Sequence, residues 1–197
     1  MDRAAQKIPD SLIYEMVDGK AIYYRGFKDY LSGNKSLEEL MGSSKIQSFL
    51  ATELVFLLKT FLGKEYFIFS NELGLQFSKR SWRAADIAVI ERDKVGEMDG
   101  KYLSVAPKYV IEIDTKADLN EVSNPFGYYQ EKTQELLKFG VQRVTWVFTD
   151  TQKVMLAQRG LKKWEIIDWD EDIEFVDGLA INIKQILIDN HLIQPTP

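Results

Sequence analysis

The chain has 197 residues, 45% of them hydrophobic and 28% charged, with a formal net charge of −5, one histidine and no cysteine. That size and balance describe one globular domain, residues 1–197, with a sizeable core. They exclude a disulfide framework, a thiolate or multi-histidine metal centre, and nucleic-acid binding by bulk positive charge alone. Any metal site must be built from oxygen donors, which suits magnesium, manganese or calcium. No apolar run approaches a membrane span, and Met1 to Lys7 lack the apolar centre of a secretion signal. With the missing cysteine, this fits a cytoplasmic protein with no membrane partner.

In chain order, Leu12 to Val17 alternates loosely and ends at Asp18-Gly19, a hairpin turn, with Ala21 to Tyr24 as the returning strand. Arg25 to Gly42 is broken by Gly26, Gly33-Asn34 and Gly42 and reads as loop, with a short helix at Leu37 to Met41. Ser43 and Ser44 are N-cap candidates. Behind them Ile46, Leu50, Leu54, Leu57 and Phe61 fall at helical spacing, Phe49, Phe56 and Leu58 widen the stripe, and Gly63 closes it. Glu53 within this helix reads as solvated.

Tyr66 to Phe69 and Leu73 to Phe77 read as two strands about a turn at Asn71-Glu72. Lys79, Arg80 and Arg83 follow, with Trp82 among them, as a candidate phosphate-contact loop; most such clusters are simply solvated. Ala84 to Ile90 is an apolar strand with one carboxylate, Asp86, near its start. Glu91 to Pro107 reads as an exposed hairpin or loop.

Lys108 to Lys116, K-Y-V-I-E-I-D-T-K, reads as a mostly buried strand. Alternation of side chains places Glu112, Asp114 and Lys116 on one face and Ile111, Ile113 and Thr115 on the other. Two carboxylates and an ammonium on a buried face are costly unless something binds them, and a divalent cation is the natural partner. The plainer alternative is a strand end emerging into solvent with its charges paired at the surface.

Ala117 to Ser123 is polar. Asn124-Pro125 is a cap followed by proline at the first helical position, and the helix runs to Phe139 and stops at Gly140. Its apolar stripe carries Tyr129, Leu136 and Phe139, and Lys132 lies on the same stripe. A lysine there either snorkels to solvent or is aimed at an anionic site. Arg143 to Thr149 is a strand. Val154 to Gln158 and Lys163 to Asp168 form a hairpin about Arg159-Gly160, with Arg159 to Lys163 a second candidate contact for nucleic acid. Ile181 to Asp189 is a last helix capped by Asn182, and His191 beyond it reads as a surface residue. The pattern is α/β with a mixed central sheet.

The run A-D-I-A-V-I, then Y-V-I-E-I, then a helix carrying Lys132 and ending at Gly140-Val141, then V-T-W-V-F, resembles the PD-(D/E)XK nuclease superfamily. Within it the chain resembles the Uma-type restriction-endonuclease family, also in its opening Y-E-M-V-D-G-K and its closing D-G-L-A-I-N-I. The resemblance covers nearly the whole chain; its motifs are short, and their order and spacing carry it. It implies a restriction-endonuclease-like core with a mixed sheet flanked by helices and an added N-terminal β-hairpin. It implies a Mg²⁺- or Mn²⁺-dependent endonuclease acting on DNA, with Asp86 and Glu112 as catalytic metal-binding acids. Asp114, on the strand face of Glu112, is a further ligand or raises the affinity of the site for the metal.

The superfamily's lysine would fall at Asp114, and in the Uma-type family the lysine of the following helix, here Lys132, stands in for it. A second register takes Asp114-Thr115-Lys116 as the D-X-K triplet and makes Lys116 the working lysine. Ala85 stands where the family usually has proline, and Leu136 where it often has tyrosine. The metal would neutralise developing phosphate charge and acidify a bound water, and the lysine would orient that water and stabilise the phosphorane. An inactive nuclease-fold binding or regulatory protein is the alternative. Cutting both strands would call for a symmetric homodimer.

Overall fold

Ser44 accepts a hydrogen bond from the Gln47 amide, and the chain behind it coils through the longest helix, α3 (Lys45–Leu62), until Gly63 turns it at a φ of +63°. Two short helices precede it, α1 (Phe27–Leu31) and α2 (Leu37–Met41), the second closed by a capping box between Ser36 and Glu39. Leu50, Leu54 and Leu58 form the buried line of α3. Phe56 and Phe61, expected on that line, are 63% and 48% exposed. The four-residue leucine repeat already fills the face turned to the sheet.

The computed structural model describes residues 8–120 and 124–194. The opening Met1 to Lys7 and the end of the polar stretch Ala117 to Ser123 lie outside the described residues. Ten strands are described: β1 (Ile13–Val17), β2 (Lys20–Tyr23), β3 (Tyr66–Ser78), β4 (Ser81–Glu91), β5 (Tyr109–Ile113), β6 (Arg143–Phe148), β7 (Lys153–Gln158), β8 (Glu165–Asp168), β9 (Ile173–Val176) and β10 (Leu179–Ile181). The first eight form one sheet in the order β2-β1-β4-β5-β6-β7-β8, with β3 paired to β4. Among these described strands only β5 and β6 pair in parallel, and α4 (Pro125–Phe139) makes the crossover between them. It starts where Asn124 caps the Gly127 amide. The sequence pattern does not anticipate α1, β9 or β10. The last helix, α5 (Ile183–Asp189), begins behind its Asn182 cap.

Helices cover both faces of the sheet. α3 and α5 pack over Ile87, Val89, Ile111, Ile113 and Val147, while α4 packs over Ala88, Val110, Val144 and Trp146. Among the described residues no helix is long and apolar enough to cross a membrane.

Three local departures shape the site. β3 is a single strand where two were expected, because Asn71-Glu72 forms a bulge and not a turn. The step from Ser70 to Leu73 opposes the shorter step from Ile87 to Ala85, and Asn71 and Glu72 take up the extra residue at φ of +69° and +59°. β5 stops at Ile113, since Asp114 turns to a φ of +57°. The expected alternation through Asp114 and Lys116 therefore ends one residue after Glu112. Between Glu91 and Pro107 there is a single 3₁₀ turn, Arg92–Lys94, and a loop whose Leu103 exchanges hydrogen bonds with Gly74 and Gln76.

The pairings of β4 place an opening in the sheet. Trp82 pairs with Gln76 of β3 and Met16 of β1, and Ile87 pairs with Ser70 of β3 and Ile111 of β5. With β3 along one edge, β1 and β5 share the other, one below the other. Residues 83–86 face the gap between them.

Candidate active site

A gap between two strands leaves backbone amides without partners, and buried amides must find them. Here carboxylates supply them. Asp86 Oδ2 accepts the Ile113 amide at 2.7 Å, and Glu15 Oε1 accepts the Ala84 amide at 3.3 Å. Both acids are thereby fixed at the place where β4 passes from β5 to β1.

Glu112, on β5, faces α4 and is 1% exposed. Lys132 comes down from α4 with no exposure at all, and its Nζ lies 3.1 Å from Glu112 Oε1 and 2.8 Å from Glu15 Oε1. Glu15 in turn accepts hydrogen bonds from Arg83 Nη1 and from the Tyr128 hydroxyl, each at 2.9 Å. Arg83 extends to Glu135 at 2.7 Å, where the network meets solvent. The result is an alternating chain of charge, Glu112, Lys132, Glu15, Arg83 and Glu135, roofed by Tyr14 and Trp146, whose rings lie 5.8 and 5.3 Å from the Lys132 ammonium.

Burial favours the neutral amine at Lys132, but Glu112 and Glu15 outweigh it and hold the ammonium well above its ordinary value. Lys132 is therefore a fixed positive charge and not a proton acceptor. Burial drives the Glu112 carboxyl well above its ordinary range, with Lys132 opposing and Asp86 and Glu15 reinforcing it. Burial likewise pushes Asp86 up to about 6, against the pull of the Ile113 amide and Lys132. Two acids that resist ionisation beside one another form a site short of positive charge.

Asp86 opens on the other side into a cleft of about 440 Å³ bordered by Gln47, Ser48, Glu72, Ile113 and Lys116. Lys116 pairs with Glu72 across this cleft and donates to the Met41 carbonyl at 2.9 Å. Gln47 and Lys116 also border a second cleft, of about 880 Å³, with Arg25, Lys35, Lys153, Tyr129 and Phe148 along its walls.

The sequence-derived residues divide accordingly. Asp86, Glu112 and Lys132 come together at the sheet opening, and Lys116 reaches the same opening from the cleft side. Asp114 does not join them. Its carboxylate accepts the Thr149 amide at 2.8 Å and the Thr149 hydroxyl at 2.6 Å, tying the ends of β5 and β6 together. Nor do Lys79, Arg80 and Arg83 form one basic loop. Lys79 and Arg80 are exposed on the β3–β4 turn, Arg80 donating to the Asp18 carbonyl, whereas Arg83 is 1% exposed within the ion network. Three residues along the chain separate the exposed Arg80 from the buried Arg83. Glu15 and Glu72 were not anticipated. Glu15 had a usable signal, a lone carboxylate in the apolar run I-Y-E-M-V; Glu72 had none, because it was assigned to a turn.

Among the described residues, no group of three or more His, Asp or Glu side chains is gathered as a ready metal cage. Two hard carboxylates do fit a magnesium or manganese ion that keeps most of its waters. Glu112 Oε1 is buried without a well-directed hydrogen bond despite its ion pair. Asp86 and Glu112 would hold the ion.

Helix, antiparallel hairpin, acidic strand, crossover helix and parallel strand, with an N-terminal hairpin at the side, define a restriction-endonuclease-like α/β fold. Among solved structures the chain is similar to a crystal structure described as a putative nuclease belonging to DUF820 from Anabaena variabilis ATCC 29413. The identity is 18%, over 87% of this chain and 88% of that one, with a TM-score of 0.62. At that identity the likeness carries the fold. No protein-family profile and no curated protein sequence matches the chain.

Proposed function

We propose that this protein is a divalent-metal-dependent endonuclease hydrolysing DNA phosphodiester bonds. The observation that carries the reading is the meeting of Asp86, Glu112 and a fully buried Lys132 at one opening of the sheet. Asp86 and Glu112 hold Mg²⁺ or Mn²⁺, which supplies Lewis acidity to the phosphoryl oxygen and to the attacking water. Lys132 supplies a permanent positive charge behind Glu112, and Lys116, on the cleft side, meets the phosphate. Substrate lies along the larger cleft, where Arg25, Lys35 and Lys153 offer cations and Tyr129 and Phe148 offer ring faces. Cleavage of both strands takes two copies related by symmetry.

The test incubates plasmid with Mg²⁺ or Mn²⁺ and wild-type protein, Asp86→Ala or Glu112→Ala. Nicking by wild type alone is expected; equal nicking by all three removes the assigned site.

A second reading, an inactive binding protein on the same scaffold, draws on the tight enclosure of Glu112 between Lys132 and the strands. Calorimetric titration with Mn²⁺ separates the two, since a scaffold that has lost catalysis in this way takes up no ion at Asp86 and Glu112.

A further inference from the structure

Glu15 stands outside the acids that would hold a metal, yet it makes the shorter of the two ion pairs to Lys132, 2.8 Å against 3.1 Å to Glu112. It belongs to the N-terminal hairpin, which the sheet order places beside the β4 segment that carries Asp86. The β1–β2 register is irregular between Ile13 and Glu15, and Tyr14 and Glu15 are both buried. Four groups then immobilise the Glu15 carboxylate: Lys132, Arg83, the Tyr128 hydroxyl and the Ala84 amide. Arg83 also pairs with Glu15, at 2.9 Å, but divides its charge with Glu135 at 2.7 Å. The Lys132 pair therefore completes the neutralisation of Glu15. Its consequence falls on Glu112, which shares the same ammonium.

We infer that Glu15 is a positioning residue that draws the Lys132 ammonium off Glu112, so that Glu112 can exchange its ammonium partner for a divalent cation. Lys132 bridges the two acids. Were an ion to take Glu112, the ammonium and the ion would repel each other, and Lys132 would keep a partner in Glu15 while remaining beside the site. Without the charge on Glu15, Glu112 would be the only carboxylate on Lys132, and an incoming ion would have to displace its sole counter-ion. The N-terminal hairpin is on this account part of the catalytic apparatus. The inference rests on the metal-dependent reading above.

The test is calorimetric Mn²⁺ titration of the full chain as wild type, Glu15→Gln, Glu15→Asp and Glu135→Gln, each checked for folding by circular dichroism. Glu15→Gln preserves shape and removes the charge, and weakens Mn²⁺ roughly tenfold or more, the scale at which outer partners of metal ligands act. Glu15→Asp keeps the charge one methylene further back and falls between Glu15→Gln and wild type. Glu135→Gln disturbs the same ion chain through Arg83 without touching Lys132, and leaves the affinity unchanged. Wild-type affinity in Glu15→Gln, or an equal loss in Glu135→Gln, overturns the positioning role and leaves the metal site standing. If Glu15→Gln does not fold, wild-type affinity in Glu15→Asp overturns it instead. Absence of Mn²⁺ binding by wild type removes the metal reading itself, and the inference with it.

Discussion

Replacing Lys132 by methionine isolates the electrostatics of the buried network. The two side chains are of similar length, so no large cavity forms, and the loss is that of one charge from a place with no exposure. Two carboxylates lose their ammonium, at 2.8 and 3.1 Å. They do not lose equally, because Glu15 retains Arg83 at 2.9 Å and the Tyr128 hydroxyl, while Glu112 is left with no cation in contact among the described residues. The cost is therefore that of stranding one buried charge, about 3–5 kcal/mol. For a chain of this size each kcal/mol corresponds to roughly 2–4 °C in Tm, giving a fall of about 6–20 °C.

The pH dependence fixes the cause. Burial already makes Glu112 bind its proton more tightly in the folded state than in the unfolded one, where its value is the ordinary 4.5, and loss of the opposing Lys132 raises it further. Stability is then lost as pH rises above that ordinary value and recovered as pH falls back toward it. Thermal melts at pH 7.5 and pH 5 should show the deficit narrowing at the lower pH, and Glu112→Leu combined with Lys132→Met should recover most of it. A fall below about 2 °C at pH 7.5, or a deficit that ignores pH, would refute the electrostatic account.

The raised Asp86 and Glu112 carboxyls set the pH profile of metal uptake: protons compete with the ion, so Mn²⁺ affinity measured by calorimetry should climb as pH rises through about 6, where Asp86 gives up its proton. Arg83→Ala removes the second cation of the buried chain and should cost about 3–5 kcal/mol in urea denaturation, whereas Lys79→Ala and Arg80→Ala should each stay within about 0.5 kcal/mol. Lys35→Ala with Lys153→Ala should weaken DNA binding in fluorescence anisotropy and flatten its salt dependence, with Tm little changed, since both side chains are near half exposed. Equal salt slopes for the variant and wild type would take the larger cleft out of the substrate path.

Much of the fold was legible in sequence. The caps at Ser44, Asn124 and Asn182 are short-range hydrogen-bonding features, and the leucine spacing of α3 and the apolar strands β4, β5 and β6 are periodic ones. Such features need only a few neighbouring residues to be read. The order of Asp86, Glu112 and Lys132 was legible for the same reason, since each lies on an element whose identity is local. Asp114 was misplaced because alternation holds only while the backbone stays extended, and its φ of +57° ends the strand just before it. The Asn71-Glu72 bulge was mistaken for a turn because positive φ serves both, and only pairing with β4 tells them apart.

The sequence by itself determined the elements, the oxygen-only chemistry open to any metal, and the candidate acids and lysine. Tertiary structure alone decided which charges meet. Glu15 and Lys132 are far apart in the chain, and Arg83 is core where its neighbours Lys79 and Arg80 are surface. The reason is that ion pairing and burial depend on which strand lies beside which, and β1 comes to lie beneath β5 on β4 only once the whole sheet has formed.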